Sequence, residues 1–147
     1  MRYISTRGGA DPQRFKEILL EGLALDGGLF VPEQYPKFTD AELDDLRGKT
    51  YQEVAFNILR TFITDIPEGD LQKLIARTYT KEVFGTPEIT PLKNLENGLS
   101  LLQLSNGPTL AFKDVPLQLV GNLMEYVLAE KGGELNILGA TSGDTGS

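Results

Sequence analysis

The sequence predicts an α/β protein in two parts: a mostly helical N-terminal region with short strands over residues 1–90, then the first strand, helix and strand of an open α/β sheet over residues 91–147. Three observations lead there. Amphipathic segments with helix-capping signals fill the first part, and the aperiodic, double-proline stretch Gly85-Thr86-Pro87-Glu88-Ile89-Thr90-Pro91 marks a boundary. Beyond it, an apolar strand, a helix, a second apolar run and a glycine-rich turn follow in the order that begins a helix-covered sheet. Such a sheet needs several strands and only two are visible, so the chain is expected to be the truncated N-terminal piece of a larger protein.

Composition bounds the chemistry. The hydrophobic and charged fractions, 40% and 24%, are those of a globular protein, and no segment approaches the run of about 18 apolar residues that reads as a membrane span. Met1 to Arg7 leads directly into Gly8-Gly9 and a charged segment, unlike a signal peptide, so a cytoplasmic location is expected. A net charge of −7 argues against nucleic acid or an anionic membrane as the main partner, while a small anionic ligand can still bind locally. The chain has neither cysteine nor histidine. Thiolate nucleophiles, Ser-His triads and Cys- or His-ligated metals are thereby excluded within it, leaving lysine, carboxylates, hydroxyls and backbone amides.

The elements follow from local signals. Residues 2–6, aromatic and β-branched, predict a short strand ended by Gly8-Gly9. Asp11-Pro12 predicts a helix start, with Phe15, Ile18 and Leu19 at helical spacing and an end near Glu21. Asp26-Gly27-Gly28 between apolar residues predicts a tight turn. Thr39-x-x-Glu42 and Thr50-x-x-Glu53 are capping boxes, each marking a helix start. The second of these helices carries Val54, Ala55, Ile58, Leu59 and Phe62 on one face, and a third helix after Pro67 carries Leu71, Leu74, Ile75 and Thr78. After the boundary, Leu99 to Leu104 predicts a strand, Asn106-Gly107-Pro108 a turn, and Asp114 to about Lys131 a helix with Pro116 in its first turn, stopped by Gly132-Gly133. Leu135 to Ala140 predicts a second, buried strand. A half-built sheet of this kind is expected to expose apolar surface and an unpaired strand edge.

Two stretches carry chemistry. The first is Gly107-Pro108-Thr109-Leu110-Ala111-Phe112-Lys113-Asp114, in which a lysine directly precedes an aspartate placed to cap a helix. A helix N-terminus disfavours a cation by about 0.3–1 kcal/mol, and an amine that sheds its proton readily is what Schiff-base chemistry requires. Taken alone, a lysine is more often a solvated side chain. The second stretch, Gly139-Ala140-Thr141-Ser142-Gly143-Asp144-Thr145-Gly146-Ser147, would present amides and hydroxyls to an anion at a helix start. Glycine-rich turns also occur for steric reasons alone, and this one matches neither the Walker loop, nor the dinucleotide fingerprint, nor the esterase elbow.

Together these motifs resemble threonine synthase, a family of pyridoxal-phosphate enzymes of fold type II. Tyr3-Ile4-Ser5-Thr6-Arg7-Gly8 and Gly22-Leu23-Ala24-Leu25-Asp26-Gly27-Gly28-Leu29-Phe30-Val31-Pro32 are similar to that family's N-terminal signatures, so the likeness covers essentially the whole chain. The resemblance implies a threonine-synthase-like N-terminal domain over residues 1–90 and the start of the pyridoxal-phosphate-binding domain over 91–147. It implies that Lys113 bonds pyridoxal 5'-phosphate as the catalytic lysine, and that Ser142, Gly143, Asp144 and Thr145 line the cofactor and the substrate carboxylate, with Asp144 near the ring hydroxyl. The implied reaction converts O-phospho-L-homoserine and water to L-threonine and phosphate. No metal is implied. Where the family often has His before Gly-Pro-Thr, this chain has Ser105-Asn106. The family's loop for the cofactor phosphate lies beyond Ser147, so the chain alone is expected to be inactive. Two other readings stay open: a different fold type II enzyme, such as a dehydratase, and a non-catalytic, synthase-like binding module.

Overall fold

In the computed structural model, residues 1–146 are described. The contacts divide the chain into two compact units, Met1–Lys49 with Glu53–Lys73, and Thr50–Gln52 with the residues from Leu74 onward. The elements are β1 (Tyr3–Ser5), α1 (Phe15–Glu21), β2 (Phe30–Pro32), α2 (Asp40–Asp44), α3 (Tyr51–Phe62), α4 (Glu68–Thr78), α5 (Lys81–Phe84), β3 (Leu92–Asn94), β4 (Ser100–Leu102) and α6 (Asp114–Lys131). The fold is mixed α/β, with helices dominating the first part.

In the first unit, β1 and β2 pair antiparallel, Ile4 opposite Val31. The backbone of Gln13 then pairs with Tyr3 in both directions, at 2.8 and 2.9 Å. That pairing keeps Asp11 and Pro12 out of the helix, and α1 begins instead at Phe15 behind Arg14, whose N–H donates to the Glu17 carboxylate at 2.8 Å. A ladder bond to β1 outweighed the capping signal. Thr39 and Glu42 do form the reciprocal cap, with Glu42 N–H donating to Thr39 Oγ1 at 3.3 Å and Thr39 N–H to Glu42 Oε2 at 2.8 Å. These bonds hold the Glu42 carboxyl below its usual range. Tyr3, Ala24, Ile63, Ile66 and Leu71 are buried in this unit. The Tyr3 hydroxyl donates to Phe62 O at 3.0 Å, and burial together with nearby Asp65 pushes its pKa up to about 12.

Asp26 is the hub of the predicted tight turn. Its carboxylate accepts from Ser5 Oγ at 2.7 Å, Gly9 N–H at 2.7 Å and Gly28 N–H at 2.8 Å. The turn requires glycine twice: Gly27 has φ +76°, and a Cβ on Gly28 would fall 2.1 Å from Ser5 Oγ.

In the second unit, Leu74, Ile75, Tyr79, Phe84, Ile89, Leu119, Leu123 and Val127 form the core. Tyr79 stacks edge-on against Tyr51, ring centroids 4.9 Å apart, and Asn122 Nδ2 donates to buried Thr78 Oγ1 at 2.7 Å, tying α6 to α4. The helix predicted from Asp114 to Lys131 has those bounds, and Gly132 ends it with φ +73°.

The strand portion of this unit differs from expectation. β4 forms within the predicted Leu99–Leu104 run but pairs antiparallel with β3, Lys93 opposite Leu101. A short turn with Asn97 at φ +59° and Gly98 at φ +74° joins the two. Neighbouring segments joined by Asn-Gly close a hairpin, whereas a parallel pair needs a crossover. The predicted strand at Leu135–Ala140 does not form. Among the described residues no strand lies beside it to complete a ladder, and Ile137 and Leu138 are exposed. Leu92, Leu99, Leu101, Leu102 and Phe112 are exposed as well, the apolar surface anticipated for a half-built sheet.

Candidate active site

The loop that delivers Lys113 is held by the acid that follows it. Asp114, the first residue of α6, is 4% exposed. Its carboxylate turns back along the chain, accepting from Thr109 N–H at 3.0 Å and from Thr109 Oγ1 at 2.9 Å. The sequence placed Asp114 as a helix cap; the structure uses it to clamp a loop. Gly107 makes room for it, because a Cβ there would lie 2.3 Å from Asp114 Cβ. Inside the loop Leu110 has φ +60°, a left-handed conformation that costs a side chain roughly 1–2 kcal/mol. It is stabilised by the turn bond from Leu110 N–H to Gly107 O at 3.1 Å and by the Asp114 clamp.

Lys113 itself is half-buried and helical, with φ −60° and ψ −22°, and its Nζ stands 5.5 Å from the centroid of the Phe112 ring. The start of α6 behind it is anchored by Tyr79, whose hydroxyl donates to Val115 O at 3.1 Å. Burial raises the Tyr79 pKa far above that of a free phenol, so it stays a donor.

A cavity of about 280 Å³ opens beside the lysine. Lys113, Leu117 and Gly121, successive turns of one α6 face, form one wall together with Asn122. Thr109 and Asp114 contribute from the loop, and Asp144 and Thr145 from the glycine-rich stretch. Of the residues singled out in the sequence, Lys113, Asp144 and Thr145 are therefore brought together. Ser142 and Gly143 are exposed on the same turn and do not line the cavity. The turn is stabilised by Gly143 N–H donating to Thr141 Oγ1 at 3.1 Å and ends in a single 3-10 turn, Asp144–Gly146, where a helix start was expected. Ser147, the last residue of that motif, lies outside the described residues.

Thr109, Gly121 and Asn122 were missed from sequence. The spacing of Gly121 from Lys113, two turns along one helix, was the available signal.

The family model for the threonine synthase N terminus matches residues 2–79, just over half of the chain. The chain belongs to the threonine synthase N-terminus family. It is 55% identical over its whole length to threonine synthase of Methylobacillus glycogenes and 49% identical to that of Pseudomonas aeruginosa, covering 32% and 31% of those proteins. Among solved structures, a PLP-bound threonine synthase from Brucella melitensis superposes with a TM-score of 0.93 at 46% identity, over 99% of this chain and 31% of that one. The chain thus spans about a third of the length of the threonine synthases it matches.

Proposed function

We propose that this chain is the N-terminal part of a pyridoxal-phosphate-dependent threonine synthase, a carbon–oxygen lyase converting O-phospho-L-homoserine and water to L-threonine and phosphate. Residues 1–90 form its N-terminal domain and 91–147 begin its cofactor-binding domain, and the enzyme works in the cytoplasm. The observation that carries the reading is the shared cavity: the one lysine preceded by Gly-Pro-Thr-Leu-Ala-Phe faces the same space as Asp144 and Thr145.

The donor set suits the reactive end of such a cofactor. It offers one amine, two carboxylates and a helix wall at Gly121 whose Cβ would meet nothing within 4 Å. About 280 Å³ is close to the lower end of the roughly 300–1,000 Å³ usual for small-molecule sites, which fits part of a pocket better than a whole one. Lys113 is the only cation among the described residues lining the cavity.

When bound, pyridoxal phosphate supplies the electron sink for carbon-acid chemistry beside an amine. Lys113 Nζ binds the cofactor and then moves protons at substrate Cα and Cβ, a role that needs an amine held in place yet able to swing. Asp144 would help hold the cofactor, near the hydroxyl of its ring. Thr145 would face the cofactor and the substrate carboxylate from the cavity, and Ser142 and Gly143, on the exposed side of the same turn, would border them. The 147-residue chain alone, with the site incomplete, is inactive.

The test uses the full-length protein. Reduction with borohydride in the presence of pyridoxal phosphate, followed by peptide mapping, is expected to label Lys113, and Lys113→Ala is expected to abolish phosphate release from O-phospho-L-homoserine. Turnover of threonine to a ketoacid in place of phosphate release would assign the site to a dehydratase; an unlabelled Lys113 would leave a binding module. Phosphate release by the 147-residue chain alone would refute its inactivity.

A further inference from the structure

An aspartate at the first position of a helix ordinarily needs no more than its favourable place at the positive end of the dipole. Asp114 does something else. It is buried, its two oxygens are committed to the N–H and the hydroxyl of Thr109, and its Cβ sits where Gly107 alone gives it room. The clamp closes the loop between Thr109 and Asp114, the loop that holds Leu110 at φ +60° and ends on Lys113. Asp114 and Thr109 also line the cavity that Lys113 faces.

We propose that Asp114 is a positioning residue, whose double bond to Thr109 sets the loop so that the Lys113 amine points into the cavity ready to receive the aldehyde of the cofactor. The inference rests on the reading of Lys113 as the cofactor lysine. It assigns Thr109 a defined part, with the hydroxyl as one arm and the backbone N–H as the other.

Three variants of the full-length protein test it. Asp114→Ala removes both acceptors of the Thr109 N–H and hydroxyl and adds no bulk beside Gly107. Thr109→Val removes the hydroxyl arm alone, and Thr109→Ser restores it. Each is assayed at a temperature where circular dichroism shows it folded, for pyridoxal phosphate affinity, for the visible absorbance of the bound cofactor, and for the rate of borohydride labelling at Lys113. Asp114→Ala is expected to weaken cofactor affinity and slow labelling by about ten- to a hundredfold, the scale of one hydrogen bond to a charged group. Thr109→Val is expected to fall between it and the parent, and Thr109→Ser to match the parent. If Asp114→Ala does not fold, the contrast between Val and Ser at position 109 decides the question. Folded Asp114→Ala or Thr109→Val protein with the parent's affinity, absorbance and labelling rate overturns the proposal. A parent protein in which Lys113 is not labelled overturns the functional reading itself, and with it the purpose assigned to the clamp.

Discussion

Gly107 and Asp114 occupy each other's space: a Cβ on Gly107 would stand 2.3 Å from the Cβ of Asp114 and 2.4 Å from its Oδ2. The neighbour that would have to move is the root of a buried side chain at the start of a helix, which has little freedom to yield.

Gly107→Ala is therefore expected to displace the Asp114 carboxylate from Thr109 and to destabilise the chain by about 1–3 kcal/mol, the usual cost of forcing a methyl into packed space. Urea unfolding reads the change. A parent-like midpoint would mean that the loop gives way without cost.

Gly121 poses the opposite case. It lies in the interior of α6, where glycine costs about 0.8–1 kcal/mol relative to alanine, yet a Cβ there would meet nothing within 4 Å. Gly121→Ala is expected to raise the unfolding midpoint of this chain while weakening cofactor or substrate binding in the full-length protein, because the methyl enters the cavity wall. Unchanged binding would show that the space beside Gly121 is not used.

Asp26 makes the stability of the first unit depend on pH. Hydrogen bonds from Ser5 first, then from the Gly28 N–H, lower its pKa below the usual carboxylate value. The folded state thus binds the proton more weakly than the unfolded state. The contribution is fully present above the unfolded pKa of about 3.9 and is lost as pH falls from there through the lower folded value. Acid unfolding followed by circular dichroism is expected to lose part of its dependence on pH below about 4 in Asp26→Asn. Identical acid profiles for the two proteins would contradict this.

How far the fold was legible depended on how local each signal was. The capping box at Thr39, the apolar face of α4 and the bounds of α6 all follow from residues within a turn or two of one another, and each forms as read. The start of α1 does not, since its decisive partner, Tyr3, stands ten positions upstream of Gln13. Leu135–Ala140 has the composition of a strand, but composition cannot supply the neighbouring strand on which a ladder depends.

The same division runs through the candidate site. By itself the sequence determined the residue types available, the family that Lys113 and the glycine-rich stretch resemble, and the helix that begins after the lysine. Only the tertiary structure decided that Asp144 and Thr145 share a cavity with Lys113 while Ser142 and Gly143 do not, and that Asp114 bonds back to Thr109. The reason is a choice among competing donors. An aspartate at a helix start can reach helix amides or loop amides with similar local energy, and the choice here is made by the space that Gly107 leaves on the loop side.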